Sequence, residues 1–188
     1  METYVSIKKS EFGIMIHITA ATEKDVPSIA QIGYASVGEA HRDSCSKMDL
    51  QEYLEKNYNE TAIKDEINDP KNAYHLLTYQ GKPAGFSNII LHAQHPNIAS
   101  KQAAKLDRIY LLKEFYDAKL GYELLKYNIA FAKNNNQDCI WLFTWVGNMR
   151  AVHFYNRAGF TVIGSHQFKV TETHYNENHQ MLMNFVQQ

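Results

Sequence analysis

Asn148–Phe160 reads N-M-R-A-V-H-F-Y-N-R-A-G-F, which is the pattern of a strand exit, a short helix and the entry to a second strand. Asn148 is an N-cap residue by type, since its side-chain oxygen can accept a hydrogen bond from a first-turn amide. Ala151, Phe154, Tyr155 and Ala158 recur at helical spacing, and Gly159 stands where a left-handed residue ends a helix. The preceding stretch, Asp138–Trp145 (D-C-I-W-L-F-T-W), is rich in β-formers, and Phe160 opens a further strand, F-T-V-I-G-S. On helix pattern alone, Tyr155 reads as a core aromatic whose hydroxyl is satisfied by backbone.

A chain of 188 residues with 45% hydrophobic and 21% charged content can bury one sizeable core, so one domain is expected. The formal net charge of -1 gives no reason to expect nucleic acid or an anionic membrane as partner, because both select a basic surface. Cys45 and Cys139 are far apart and form no disulfide framework, which points to a reducing compartment. The charged N-terminus has no apolar signal region, and no run reaches the roughly 18 apolar residues of a membrane span. A cytoplasmic location is therefore expected. His92 with His95, and His174 with His179, read as solvated surface histidines, and no metal site is expected.

Working outward, Ile14–Thr19 alternates as a first strand, leaving residues 1–13 as an extension before a single domain at 14–188. Thr22 and Asp25 approximate a capping box for a helix through Val26, Ile29, Ile32 and Gly33. A second helical region spans Asp49–Ile67 with a break near Asn57–Asn59. Ala73–Tyr79 and Ala84–His92 form a hairpin through Q-G-K-P. A strand within Ser100–Leu112, a helix at Gly121–Lys133, the Tyr155 unit and a strand at His179–Val186 complete the order.

That order and the motif N-x-x-A-x-x-F-Y-x-x-x-G-F, on Asn148, Ala151, Phe154, Tyr155, Gly159 and Phe160, resemble the GNAT superfamily of acetyl-CoA-dependent N-acetyltransferases. The resemblance implies an α+β fold: a mixed, mainly antiparallel twisted sheet of about seven strands, flanked by four helices and splayed between its fourth and fifth strands. It implies acetyl-CoA as cofactor, its pantetheine arm lying along Ile109, Tyr110, Leu111 and Leu112 like an added strand. The pyrophosphate would rest on the following loop and helix N-terminus, Tyr116, Asp117, Ala118, Lys119, Leu120 and Gly121. Asn148, Ala151, Phe154 and Tyr155 would border the thiol. The loop departs from the family's Gln/Arg-x-x-Gly-x-Gly/Ala: only Gly121 matches, Tyr116 replaces the Gln or Arg, and Lys119 stands at the central glycine. Asp117 is the expected N-cap of the helix.

By resemblance Tyr155 is the general acid for the departing thiolate. A primary amine with a pKa near 10.4 also needs a proton acceptor. Asp107 is one candidate, on a strand whose alternation puts Lys105, Asp107 and Ile109 on one face; His41, Glu39 or a relay water are others. Met48–Pro70 and the tail motif Gly164-x-His166-x-Phe168 are similar to the PaiA-type spermidine/spermine N-acetyltransferases. They imply a polyamine or another small primary amine as acceptor, with Glu39, His41, Asp43 and Asp49 near it. Acetylation of a protein lysine or N-terminus, and a non-catalytic binding role, are the alternatives. Many such proteins dimerise, so a homodimer is a further expectation.

Overall fold

The computed structural model describes residues 6–9 and 15–185. Their strands are β1 (Ser6–Lys9), β2 (Met15–Ala20), β3 (Asn72–Tyr79), β4 (Lys82–Ile90), β5 (Ala103–Leu111), β6 (Cys139–Trp145), β7 (Thr161–Lys169) and β8 (Tyr175–Asn184). They form one sheet in the order β1-β2-β3-β4-β5-β6-β8-β7. Every neighbouring pair is antiparallel except β5 with β6. The helices are α1 (Val26–Ala40), α2 (Lys47–Asn57), α3 (Glu60–Asn68), α4 (Leu120–Asn134) and α5 (Met149–Ala158).

The element order agrees with the expected α+β fold, with three local differences. β1 falls inside residues 1–13 and pairs with β2, Ser6 opposite Ile18, so the sheet has eight strands. Ile14 lies outside the described residues. The second helical region is two helices, because Asn59 both ends α2 and starts α3: its Nδ2 donates to Glu55 O at 2.8 Å and its Oδ1 accepts from Ala62 N–H at 2.9 Å. The last strand begins at Tyr175, ahead of His179, because β7 and β8 stay in register up to the Lys169–Tyr175 pair.

The central strands are buried on both faces. On one face Tyr74, Leu76 and Phe86 pack against Ile29, Ile32, Leu54 and Ile63 of α1–α3. On the other, Leu77, Ile89, Ile140 and Leu142 meet Leu120, Leu124 and Leu125 of α4 and Tyr155 of α5. Fully burying an aliphatic or aromatic side chain contributes about 1.5–3 kcal/mol, so these two layers fix the sheet between the helices. No helix among the described residues is long and apolar enough to cross a membrane.

β5 and β6 pair only at Ala103–Cys139, Ala104–Ile140 and Lys105–Trp141. Beyond Lys105 they separate, and the functional cleft lies in that separation.

Candidate active site

The splay leaves one edge of β5 open. Leu112 N–H donates to Ala84 O on β4 at 2.9 Å, so strand alternation turns the Leu111 and Ile109 amides toward the opposite, open edge. This is the arrangement that the added-strand mode of binding needs. The cleft beside it has a volume of about 1310 Å³ and is lined by Asp107 to Leu111, the C-terminal end of α1, α2, the N-termini of α4 and α5, and the tip of the β7–β8 hairpin.

One half of the cleft is made by α4 and α5. Asn148 caps α5, its Oδ1 accepting from Ala151 N–H at 3.1 Å, and Gly159 ends that helix at φ 100°. This holds Tyr155 with its ring packed against Phe154 and Phe160 and its residue 8% exposed, on the cleft wall. Burial, with a smaller contribution from Tyr110, pushes the Tyr155 hydroxyl well above the usual tyrosine range, so it stays protonated. Tyr116, Lys119 and Gly121 line the same half, together with Arg150 and Arg157 of α5, and no carboxylate does so among the described residues. The Arg150 guanidinium sits 3.3 Å from the Tyr116 ring centroid.

The loop at residues 116–121 differs from expectation in its details. Lys119, not Asp117, is the N-cap of α4, and it adopts φ 57° and ψ 14°. That left-handed conformation is the one a glycine supplies without cost, and here a lysine adopts it at the position where the resemblance expects a glycine. Asp117 sits in the 3₁₀ segment Lys113–Ala118 and does not line the cleft, which removes the carboxylate that would oppose a phosphate. Ala118 and Leu120 pack into the α4-side core. A Cβ on Gly121 would come within 3.3 Å of Leu111 Cδ1, so glycine keeps the helix start close to β5. An open strand edge, a helix N-terminus and three lining cations fit a ligand with an amide-rich arm and a pyrophosphate.

The opposite half is made by α1, α2 and the β7–β8 hairpin. Asp107 is the bulged residue of β5, lying between the pairs Asn88–Arg108 and Ile89–Leu106. The bulge breaks the expected alternation: Ile109 turns to the α4 side, whereas Lys105 lies over the Trp141 and Phe143 rings. Asp107 is bonded to Lys105 Nζ at 2.6 Å and lies 3.8 Å from Arg108 Nε. Glu39 is held by Lys113 at 2.5 Å and Arg42 at 3.4 Å, and the Lys113 hydrogen bond holds its carboxyl below the usual range. His41 lies 5.7 Å from the Trp145 ring, and burial lowers its pKa, which keeps its imidazole neutral at pH 7. Asp43 is 85% exposed at the rim.

Glu39, His41, Asp43, Asp107 and Tyr155 thus share one cleft, while Asp49 does not line it and accepts a hydrogen bond from the hydroxyl of Ser46, the N-cap of α2, at 2.6 Å. Several lining residues had no signal in the sequence. Tyr53 and Tyr58 of the α2 region, Arg108 and Trp145 come together only through the packing of α2 under β7. The Gly164-His166-Phe168 motif explains part of this. A Cβ on Gly164 would meet Asn97 Nδ2 at 3.0 Å, His166 stacks on Phe143 at 4.5 Å, and Phe168 meets Tyr53 edge-on at 6.1 Å. Among the described residues no group of three or more His, Cys, Asp or Glu is placed to hold a metal ion.

Comparison with known proteins agrees with this geometry. The model of the acetyltransferase (GNAT) family matches residues 34–160. An uncharacterized N-acetyltransferase from the pepI 3' region of Lactobacillus delbrueckii subsp. lactis is 26% identical over 153 residues, covering 81% of this chain and 88% of that one. The PaiA N-acetyltransferase of Thermoplasma acidophilum, solved with coenzyme A, superposes with a TM-score of 0.73 at 18% identity over 90% of this chain and 99% of that one. The ribosomal-protein-S18-alanine N-acetyltransferase of Escherichia coli gives 0.65 at 17% identity, covering 90% and 94%. The chain belongs to the GNAT family of N-acetyltransferases, which take their acetyl group from acetyl-CoA.

Proposed function

We propose that this protein transfers acetyl directly to a primary amine of a small molecule, with Tyr155 as general acid. The observation that carries the proposal is the placement of Tyr155 on the wall of a cleft that opens beside the free edge of β5. Acetyl-CoA supplies the activated acetyl thioester. The Leu111 and Ile109 amides bind along the open edge and polarise the carbonyl, as oxyanion donors do. Lys119, Arg150 and the α4 N-terminus hold the pyrophosphate charge. Tyr155 gives its hydroxyl proton to the departing sulfur. The amine loses its proton to Asp107, to His41 or to water; His41 carries no ion pair among those described, whereas Asp107 is committed to two cations.

The acceptor side is roofed. Thr171 Oγ1 donates to Asp49 Oδ1 at 3.2 Å, and His174 Nε2 donates to Ser44 O at 2.9 Å, which ties the β7–β8 tip to the α1–α2 connection. A closed roof favours a small acceptor over a protein lysine or N-terminus. Spermidine is the acceptor that the PaiA resemblance implies, and it enters the test as one amine among several.

The test is the thermal midpoint with and without coenzyme A. At a hundredfold excess over Kd, linkage stabilises by about 2.7 kcal/mol, roughly 5–10 °C for a domain of this size. A rise of that order supports the reading. No shift at millimolar coenzyme A contradicts it and favours a non-catalytic binding role.

A further inference from the structure

We infer, on the basis of the proposed amine acetylation, that the acceptor is a monoamine with an uncharged, apolar or aromatic body, not a polyamine. The argument rests on how charge and aromatic surface are distributed in the acceptor half of the cleft. A polyamine brings at least two ammonium groups besides the nitrogen that reacts. Holding them takes carboxylates that are free of other cations.

The carboxylates are engaged. Asp107 has Lys105 and Arg108, Glu39 has Lys113 and Arg42, and Glu172 has Lys169 at 2.7 Å. Asp43, 3.7 Å from Arg42 Nε, and Glu52 are exposed at the rim, where attraction to a cation is screened by water and salt.

Two cations of the chain already lie against rings at this end of the cleft. Arg108, 12% exposed, lies 4.9 Å from the Tyr58 ring centroid and is bonded to Glu66 at 2.7 Å. Lys105 lies 5.5 Å from the Trp141 ring and 5.8 Å from that of Phe143. A second cation brought to these rings meets like charge.

What the acceptor half does offer is ring surface. Tyr53 meets Phe168 edge-on at 6.1 Å, and both rings, like Tyr110, are partly exposed on the cleft wall, with Tyr58, 3% exposed, packed behind them. The Tyr58 and Tyr110 hydroxyls bond to each other, so the two polar tips are satisfied within the wall. Apolar burial against such a wall is favourable and burial of an unpaired charge is not, so a phenyl or hexyl body gains where a charged chain loses to desolvation.

The experiment is titration calorimetry of 2-phenylethylamine, hexylamine, spermidine and spermine into the protein saturated with coenzyme A, followed by thiol release with the same amines. The expected result is binding of phenylethylamine and hexylamine at least about tenfold tighter than spermidine, a difference within reach of one apolar subsite. Phe168→Leu should weaken phenylethylamine by about threefold to tenfold more than it weakens hexylamine. Tighter binding of spermidine or spermine, or no binding of any of these amines, overturns the inference. Tight phenylethylamine binding with no thiol released from acetyl-CoA would instead contradict acetyl transfer and leave the acceptor preference standing.

Discussion

Lys105 Nζ lies 2.6 Å from Asp107 Oδ1, and the two side chains, each 25% exposed, close off one another on the floor of the acceptor half. The Asp107 carboxylate is committed to Lys105, with Arg108 Nε 3.8 Å from its other oxygen. His41 has no such tie among the ion pairs described, and burial keeps it neutral. We therefore expect Asp107→Asn to slow turnover less than His41→Gln, which should lose about tenfold or more. The pH profile separates the roles. With His41 taking the proton of the bound ammonium, log kcat/KM rises with a slope of about one below the imidazole titration and levels off above it. In His41→Gln the rise should instead continue toward the titration of the amine, whereas an unchanged profile would exclude His41.

Gly33 gives the Tyr58 ring its place. A Cβ at Gly33 would overlap the ring at Cδ1, and the ring forms part of both the α1–α3 core and the cleft wall. Gly33→Ala should destabilise the fold by about 1–3 kcal/mol, the usual cost of overpacking. It should also raise the KM for the amine more than that for acetyl-CoA. Denaturant unfolding and steady-state kinetics check both.

Lys119 adopts a left-handed conformation, which costs a side-chain-bearing residue about 1–2 kcal/mol relative to glycine. Part of that gain is offset by the greater unfolded-state freedom of glycine. Lys119→Gly should raise the thermal midpoint of the free protein by about 2–4 °C. Loss of the cation should at the same time weaken coenzyme A binding, read by calorimetry.

His75 is 2% exposed, with its ring 4.8 Å from both Tyr127 and Phe131, and its Nδ1 has no hydrogen-bond partner. Burial lowers its pKa from 6.5 to about 4. Between these values the unfolded chain binds the proton and the folded chain does not, so stability falls as pH drops from about 6.5 toward 4. This one group should account for about 2 kcal/mol of the loss between pH 7 and pH 5. His75→Leu should reduce the pH dependence of unfolding by that amount; an equal dependence in both proteins would contradict the assignment.

The parts of this fold that were legible in the sequence are those written by local rules. The Asn148 cap, the Gly159 stop, the Q-G-K-P hairpin and the break at Asn57–Asn59 each depend on residues within one turn of each other, and each is present. Asp107 was placed on the cleft, but its bulge was not foreseen, because a bulge is decided by the partner strand and leaves no period of its own. The N-cap of α4 was misassigned for a related reason. Asp117 is the better cap by type, yet the left-handed turn at Lys119 starts the helix later. The aromatic wall of Tyr53, Tyr58 and Phe168 was invisible, since it joins α2 to β7 across more than a hundred residues of chain.

The most direct test of acetyl transfer is thiol release from acetyl-CoA by purified protein with a panel of primary amines, run side by side with Tyr155→Phe. The account predicts amine-dependent thiol release by the natural protein, and a loss of about 10²-fold or more in Tyr155→Phe with coenzyme A binding unchanged. An equal rate in the two proteins would contradict Tyr155 as the acid, and no amine-dependent release in either would contradict small-amine acetylation itself.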